Sequence, residues 1–384
     1  MMNSSGRQWL PRSAMLQGAG EKGLSNRRAG RAGGKLVRAL QERRQKLRAS
    51  RRSRRRGRRS VSEVRQCRRQ ADTNEGKHDM ATVASRAELE RLLEDDVPYG
   101  DLTTEALGIG GAIGVMQFTA RAPMVLALAE DAAEIIALAG CEVELFAASG
   151  AMLEQGAPIL QARGPAAGLL RSWKVAQTLV EIWSGVASET RAIVEAARAV
   201  VPVIPVACTR KNVPGTKRFA VAAVKAGGAV MHRLGLSETV LVFPEHRAFL
   251  GELPLFQAVE RLRRAASEKK LVIEVKTADA ALAAAVAGFD VIQAEKFSPA
   301  EIAALVKRMA SMAYTRARPI IAAAGGVNAA NAAAYAAAGA DVLVTSAPYL
   351  AKPRDVQVQI AAADDGRCSA RLGPRKDAIA PALT

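Results

Sequence analysis

The stretch "LVIEVKTADAALAAAVAGFDVIQAEK", residues 271–296, decides how the second half of this chain is read. Two short runs of mostly apolar residues flank an alanine-rich segment with helical character. A strand that is apolar along its whole length must be covered on both faces, and a helix between two such strands makes them parallel neighbours. The same rhythm recurs outward in "PVIPVAC" (202–208), "TVLVF" (239–243), "PIIAAA" (319–324) and "DVLVTS" (341–346). Six or seven such units in about 150 residues fit a barrel or an open doubly wound sheet, and periodicity does not separate the two.

Upstream, residues 85–190 mix helices and strands without a repeat. "SRAELERLLEDD" (85–96) reads as a short helix with Ser85 at its N-cap and Glu88 completing a capping box. "GVMQFTARAP" (114–123) and "PILQARGP" (158–165) read as strands, and "VLALAEDAAEIIALAG" (125–140) as a helix ending at Gly140. Residues 166–200 form long helical stretches around Gly185. We divide the chain into a basic arm (1–79), an N-terminal α/β domain (80–195), an α/β barrel (196–350) and a C-terminal segment (351–384) that returns toward the N-terminal domain and ends in a disordered tail.

Of 384 residues 49% are hydrophobic, enough for one large core or two ordinary ones. No run reaches the roughly 18 consecutive apolar residues of a membrane span, and the expected location is the cytoplasm. Cys67, Cys141, Cys208 and Cys368 lie far apart with no CxxC pair, which suggests reduced thiols rather than disulfides or a zinc site. The formal charge of +18 invites a nucleic-acid reading, but its distribution argues against that for most of the chain. Residues 1–79 hold 23 Lys and Arg against 6 acidic residues, whereas residues 80–384 hold 32 against 31. The arm, with "RRSRRRGRRS" at 51–60, is too poor in apolar residues to offset its ordering entropy and is expected to be disordered. It is either a phosphate-binding tether or upstream sequence ahead of a natural start at Met80, and we favour the second.

In parallel α/β barrels the chemistry lies at the C-terminal ends of the strands. The residues there are Thr209, Arg210 and Lys211; Glu245 and His246; Glu274 and Lys276; Glu295 and Lys296; Gly325 and Gly326; and Ser346. Within "PVACTRKNVPGTKRF" (205–219), Arg210, Lys211 and Lys217 would repel one another unless an anion sits between them. Lys217 is equally suited to start the next helix. The glycine pair precedes Asn328, a candidate helix cap, and offers backbone N–H groups to a phosphate, although such a pair also serves as a plain tight turn. His232 and Arg233 follow Gly227 and Gly228, which permit a sharp loop that turns both side chains inward.

Six ordered motifs carry a resemblance: "DDVPYGDLTTEAL" (95–107), "SGVAS" (184–188), "TRKNVPGTK" (209–217), "GGAVMHRLGL" (227–236), "IEVKT" (273–277) and "EKFSPAEI" (295–302). Together they resemble the quinolinate phosphoribosyltransferase (nicotinate-nucleotide pyrophosphorylase) family. The ending "VLVTSAPYLAKPRD" (342–355) resembles its ModD branch, encoded beside molybdate transporters. The resemblance implies an N-terminal α/β sandwich followed by an incomplete, seven-stranded, TIM-like α/β barrel, paired in a homodimer with shared active sites. It implies transfer of phosphoribose from phosphoribosyl pyrophosphate (PRPP) to a nitrogenous acid acceptor, with Mg²⁺ and release of pyrophosphate. Carried over by motif, Lys211, Glu274 and Glu295 are catalytic, with Mg²⁺ entering beside the two carboxylates on PRPP rather than by direct protein ligation. Arg210, His232, Arg233, Phe243, Gly325, Gly326 and Ser346 bind substrate, and Lys174 is offered to the neighbouring subunit. Departures stand beside the match. Phe243, in "LVFPEH", replaces the Lys of the family's "LIKDNH"; Lys174 replaces an Arg, Glu295 an Asp, and a late glycine is replaced near Ser346. Each weakens or alters an anion contact, so the expected acceptor is less acidic than a pyridine dicarboxylate. A second reading is a non-catalytic phosphate-ligand or regulatory protein on the same fold, linked to molybdate transport.

Overall fold

The computed structural model describes residues 82–314 and 317–363. The basic arm, the start at Met80, the tail beyond residue 363, and Cys67 and Cys368 lie outside the described residues. Helix α1 (Arg86–Asp96) begins at its expected cap: the Ser85 N–H and hydroxyl both donate to the Glu88 carboxylate, at 2.9 and 2.6 Å. The buried carboxylate of Asp131 accepts the backbone N–H groups of Val83 and Ala84 and so pins the chain just before the helix. Helix α2 (Leu102–Leu107) is capped by Asp101, which accepts from the N–H groups of Thr103 and Thr104.

Strand β1 (Ile113–Ala120) buries Met116, Phe118 and Ala120 on one face, the period-2 pattern of a half-buried strand. After it come β2 (Met124–Val125), α3 (Ala129–Leu138), β3 (Glu142–Leu145), β4 (Met152–Leu153) and β5 (Pro158–Pro165). β5 pairs antiparallel with β1 on one side and β3 on the other, while β2 and β4 form a separate short ribbon. The single helix expected over 125–140 is therefore shorter, and its first residues are extended. The reason is tertiary: the Val125 and Ala127 N–H groups donate to Ser188 Oγ and Ser184 Oγ, at 2.9 and 3.0 Å. Those donors are committed to the neighbouring helix, and Leu128, at φ 59°, makes the turn into α3.

That neighbour is α4 (Ala166–Arg198), 33 residues without a break at Gly185 and continuing past residue 195, where the domain boundary was placed. Its hydrophobic stripe joins one continuous core with the elements on either side. Gly185 is required by close approach. A Cβ there would sit 2.4 Å from the Lys352 carbonyl oxygen and 3.2 Å from Pro353 Cα, both backbone atoms.

From residue 206 the expected alternation appears: β6 (Val206–Cys208), α5 (Lys217–Ala226), β7 (Val230–Met231), β8 (Val240–Val242), α6 (Pro244–Arg247), α7 (Leu255–Ala265), β9 (Leu271–Val275), α8 (Ala278–Ala287), β10 (Val291–Glu295), α9 (Pro299–Ala310), β11 (Ile320–Ala324), α10 (Ala332–Ala337) and β12 (Val342–Thr345). All pair parallel in the order β7-β6-β12-β11-β10-β9-β8. The consecutive strands β7 and β8 end up on opposite edges, so the sheet curls into a barrel that does not close. Residues from both edges meet in one cleft at the strand ends. On the outer face Ile273, Ile292, Ile321 and Leu343 are fully buried within the main core. On the inner face a separate cluster of Ala322, Ala324 and Val344 packs with Val291 and Val342. The two alanines fill little volume, which leaves the barrel hollow above them.

The chain then crosses back. β13 (Val356–Ala362) pairs antiparallel with β1, completing a sheet of order β13-β1-β5-β3. Gln177 and Glu181 of α4 hold the incoming strand: Gln177 Nε2 donates to the Val356 carbonyl at 2.7 Å, and Glu181 Oε1 accepts the Val356 N–H at 3.0 Å.

Replacing Gly185 with Ala adds helix propensity but drives a methyl group into the Lys352 backbone, and overpacking of this kind outweighs the propensity gain. Gly185→Ala is expected to lower stability by about 1–3 kcal/mol, read by thermal or urea unfolding; unchanged stability would show that the crossing segment yields freely.

Candidate active site

Each strand of the curled sheet delivers side chains to one cavity of about 500 Å³, within the range of small-molecule sites. β6 ends at Cys208, and Thr209, Arg210 and Lys211 line the cavity beyond it. The loop is anchored from outside by Tyr349, whose hydroxyl donates to the Thr209 carbonyl at 2.7 Å. Lys217 starts α5 and does not line the cavity, so the helix-start reading of that residue stands.

His232 and Arg233 also line the cavity; the glycine turn is present, with Gly228 at φ 88°, but a short strand stands between it and the pair. They directly follow β7, which pairs Ala207 with Val230 and Cys208 with Met231 and extends through the His232 N–H to the Cys208 carbonyl, at 2.8 Å. Strand register sets their direction. Sequence reading missed β7 because two residues are too few to show a period. Arg233 is 5% exposed, and among the described residues its guanidinium has neither an ion-pair carboxylate nor a hydrogen-bond acceptor; it lies 5.6 Å from the centre of the Phe243 ring. Burial, then the Arg210 charge, pulls its pKa below the ordinary arginine value. Burial first, then Arg233, lowers the pKa of His232 and favours the neutral imidazole.

The opposite arc is acidic. Glu245, Glu274 and Glu295, beyond or at the ends of β8, β9 and β10, face the same cavity. No ion pair joins them to Arg210, Lys211 or Arg233 among the described residues. Burial and the neighbouring Glu295 push the Glu274 carboxyl above the ordinary glutamate value, and a hydrogen bond from Gln293 Nε2, at 2.8 Å, pulls it part of the way back. Gln293 is 5% exposed, and its Oε1 has no donor among the described residues. It was not among the candidates from sequence, although an amide inside the apolar run "DVIQA" was a signal that could have been read. His246, Lys276 and Lys296, counted among the strand-end residues, do not line the cavity. His246 Nδ1 instead accepts the Phe243 N–H at 3.0 Å, and its ring stacks on that of Phe243 with centroids 5.8 Å apart. Phe243 is thereby held in place at the cavity wall.

Gly325, Gly326 and Ser346 complete the lining. Gly325 (φ 83°) and Gly326 (φ 114°) both have left-handed backbone, and a Cβ on Gly325 would come within 2.6 Å of Glu295 Oε1. The loop needs glycine for its turn and for the carboxylate lying against it. The cap expected at Asn328 falls three residues later, at Asn331, ahead of α10. Asn328 Oδ1 still accepts the Ala330 N–H at 2.9 Å in the turn before the helix, and Asn328 and Asn331 donate from Nδ2 to the Gly326 carbonyl, at 3.2 and 3.0 Å, and so brace the loop. Lys174 stands apart from the other candidates. It lies on the exposed side of α4, with Nζ 4.1 Å from the Trp173 ring centre and 3.1 Å from Gln177 Oε1, and lines a shallow groove with Asp95 and Asp96. Cys208 is fully buried, which pushes its thiol up to about 12 and leaves it inert at neutral pH.

An incomplete parallel barrel whose strand ends gather into one cleft, joined to an antiparallel sheet by a long helix, defines a two-sheet α/β protein with its site at the barrel mouth. The family models for the N-terminal and C-terminal domains of quinolinate phosphoribosyl transferase match residues 101–184 and 186–359. The chain belongs to the quinolinate phosphoribosyltransferase family. ModD of Rhodobacter capsulatus, a pyrophosphorylase by name, is 49% identical over 242 residues, 63% of this chain and 92% of that protein. The nicotinate-nucleotide pyrophosphorylase (carboxylating) of Mycobacterium leprae is 32% identical over 269 residues, 69% of this chain and 92% of that protein. The crystal structure of NadC from Streptococcus pyogenes matches with a TM-score of 0.65 at 26% identity, covering 72% of this chain and 96% of that one. No helix among the described residues is long and apolar enough to cross a membrane.

The raised pKa of Glu274 makes a stability prediction for the unliganded protein. The native state holds the proton more tightly than the unfolded chain, so this group lowers stability as pH rises past the ordinary glutamate value and through the raised one. Glu274→Gln is expected to raise the melting temperature at pH 7, with a gain that fades below the ordinary glutamate pKa. A pH series of melting curves on both proteins tests this; a loss of stability at pH 7 would show that the carboxylate is compensated.

Proposed function

We propose that this chain is a PRPP-dependent phosphoribosyltransferase that joins a ring nitrogen of a heteroaromatic acceptor to the ribose anomeric carbon, in the cytoplasm, as a homodimer with shared active sites. The observation that carries the reading is Arg233, a buried cation with no acceptor among the described residues, beside Arg210 and in one cavity with carboxylates that form no ion pair among them. Burying an unpaired charge is costly, and a phosphorylated sugar would offset the cost at both arcs. In the step itself the nitrogen lone pair forms a bond to the anomeric carbon, while the bond from that carbon to pyrophosphate breaks and its electron pair leaves with the pyrophosphate oxygen. Positive charge develops on the ribose ring, where Glu274 and Glu295 would stabilise it; Gln293 orients Glu274. Arg210, Lys211 and Arg233 would take the phosphate oxygens, Arg by bidentate contact and Lys as a point charge, with the Gly325–Gly326 backbone and Ser346 beside them.

Magnesium fits this donor set in one manner. Among the described residues no group of three His, Cys, Asp or Glu could enclose a metal ion, and Mg²⁺ ordinarily keeps several waters and takes one or two carboxylates together with substrate phosphates. Glu274 and Glu295 are the carboxylates that would face it, and its contribution is to neutralise the departing pyrophosphate. Lys174, outside its own cavity and exposed beside Asp95 and Asp96, would serve the partner subunit's site. A phosphate-binding protein without chemistry gains nothing from three unpaired carboxylates around its ligand, so catalysis accounts for the cavity better than binding alone.

Calorimetry with PRPP and Mg²⁺ tests the reading. Arg233→Ala and Lys211→Ala are each expected to weaken binding by about 1.5–3 kcal/mol, roughly 10- to 150-fold, the scale of hydrogen bonds to charged groups. Absence of PRPP binding by the wild-type chain would remove the transferase reading.

A further inference from the structure

The loop that carries Arg210 and Lys211 has little of its own to hold it. It spans residues 209–216, between β6 and α5, and among the described residues neither cation forms an ion pair. Its internal hydrogen bonds are local: the Lys211 N–H donates to Thr209 Oγ1 at 3.3 Å, and the Thr216 N–H and hydroxyl donate to the Val213 carbonyl at 3.2 and 2.8 Å. Apart from the start of α5, two hydrogen bonds among the described residues tie the loop to another part of the fold, and both are made by Thr209. Its N–H donates to the Thr345 carbonyl at 2.9 Å, and its carbonyl accepts the Tyr349 hydroxyl at 2.7 Å. Thr345, 2% exposed at the end of β12, also holds the glycine loop: its hydroxyl donates to the Val327 carbonyl at 2.6 Å and accepts the Ala347 N–H at 3.0 Å. Tyr349 sits on a short 3-10 turn (Ala347–Leu350) fixed at both ends, by β12 before it and by the Lys352–Pro353 backbone against Gly185 of α4 after it. Burial first, then Cys208, pushes the Tyr349 phenol above its ordinary value, so the hydroxyl keeps its proton and remains a donor.

We propose that Tyr349 is a positioning residue for the anionic ligand: its hydroxyl fixes the Thr209 carbonyl, and with it the direction of Arg210 and Lys211 into a cavity that Tyr349 itself does not line. The inference rests on the reading that these two cations take phosphate oxygens of PRPP. Two adjacent like charges repel, which favours an open loop in the free protein. A loop held in place before binding spares the ligand the cost of ordering it, and groups fixed in advance raise affinity for that reason. Without the hydroxyl the loop hangs on the single backbone bond from Thr209 to Thr345. The support thus runs from α4 through the turn to a carbonyl 140 residues away in the chain.

Tyr349→Phe in the full chain keeps the ring and removes the hydroxyl alone. Titrated calorimetrically with PRPP and Mg²⁺, it is expected to bind about 3- to 10-fold more weakly than the wild type, the scale of one neutral hydrogen bond. A double-mutant cycle separates positioning from a plain structural tie. In a Lys211→Ala background the hydroxyl has one cation fewer to direct, so the added loss should shrink; in an Arg233→Ala background, whose cation follows β7, it should persist. Hydrogen exchange gives a readout on the wild type itself: without ligand, the amides of residues 209–211 should already exchange slowly, and in Tyr349→Phe they should exchange faster while β9 and β10 keep their protection. Unchanged PRPP affinity in Tyr349→Phe, with or without a lower melting temperature, overturns the inference and leaves the transferase reading standing. So does a loss of equal size in both backgrounds, or fast exchange at 209–211 in the free wild type. A wild-type chain that does not hold PRPP removes that reading and this inference with it.

Discussion

The contact on which the rest of the molecule depends is the approach of extended backbone to the middle of α4. At Ser184, Gly185 and Ser188 a single turn of helix receives β2 through two hydroxyl hydrogen bonds on one side and the Lys352–Pro353 backbone against bare Cα on the other. One and two turns earlier, Glu181 and Gln177 hold the first residue of β13. The helix therefore ties the antiparallel sheet to the segment that leaves the barrel, and at Gly185 even a methyl group would meet the Lys352 backbone. A short polar side chain satisfies a buried backbone donor at small volume, which is what close packing of strand on helix requires.

The barrel makes the opposite use of polar groups. Where α4 satisfies the backbone donors of Val125 and Ala127, the cavity collects polar groups that have no partner among the described residues, the Arg233 guanidinium and the Gln293 carbonyl, beside a Glu274 carboxyl raised by burial and by Glu295. Each costs stability in the free protein, and the cost is tolerable because the outer face of the same strands is buried in a continuous apolar core. The hollow above Ala322 and Ala324 belongs to the same arrangement. Larger residues there would pack the barrel interior better and leave no room for the charged side chains to face one another across a ligand.

Short strands with long-range partners mark the limit of what local pattern reveals. β9 and β10 were legible because two short, mostly apolar runs flank an alanine-rich helical segment, and the capping box at Ser85 because both of its partners lie within one turn. β7 was not, since Val230 and Met231 are strand only by virtue of β6 beside them. Residues 125–127 read as helix and are not, because hydroxyls some 60 residues away take the N–H groups of Val125 and Ala127, a competition that local propensity does not contain.

The same division runs through the site. That Arg210, Lys211, Glu274 and Glu295 belong at strand ends follows from the alternation of apolar runs and polar punctuation, and their family from six ordered motifs, whereas His232 and Arg233 read only as a loop after two glycines. The sorting of those residues into a cationic arc and an acidic arc came from the parallel sheet order, which sets β6 and β7 at one side of the curl and β8, β9 and β10 at the other. Chain order puts Phe243 only ten residues after Arg233, yet their strands lie on opposite edges, and only the curl of the sheet brings that guanidinium over that ring. Residue type and local spacing specify which side chains are delivered to a strand end. Curvature, register and burial are properties of the assembled sheet, and they decide which of those side chains meet and which charges remain unpaired.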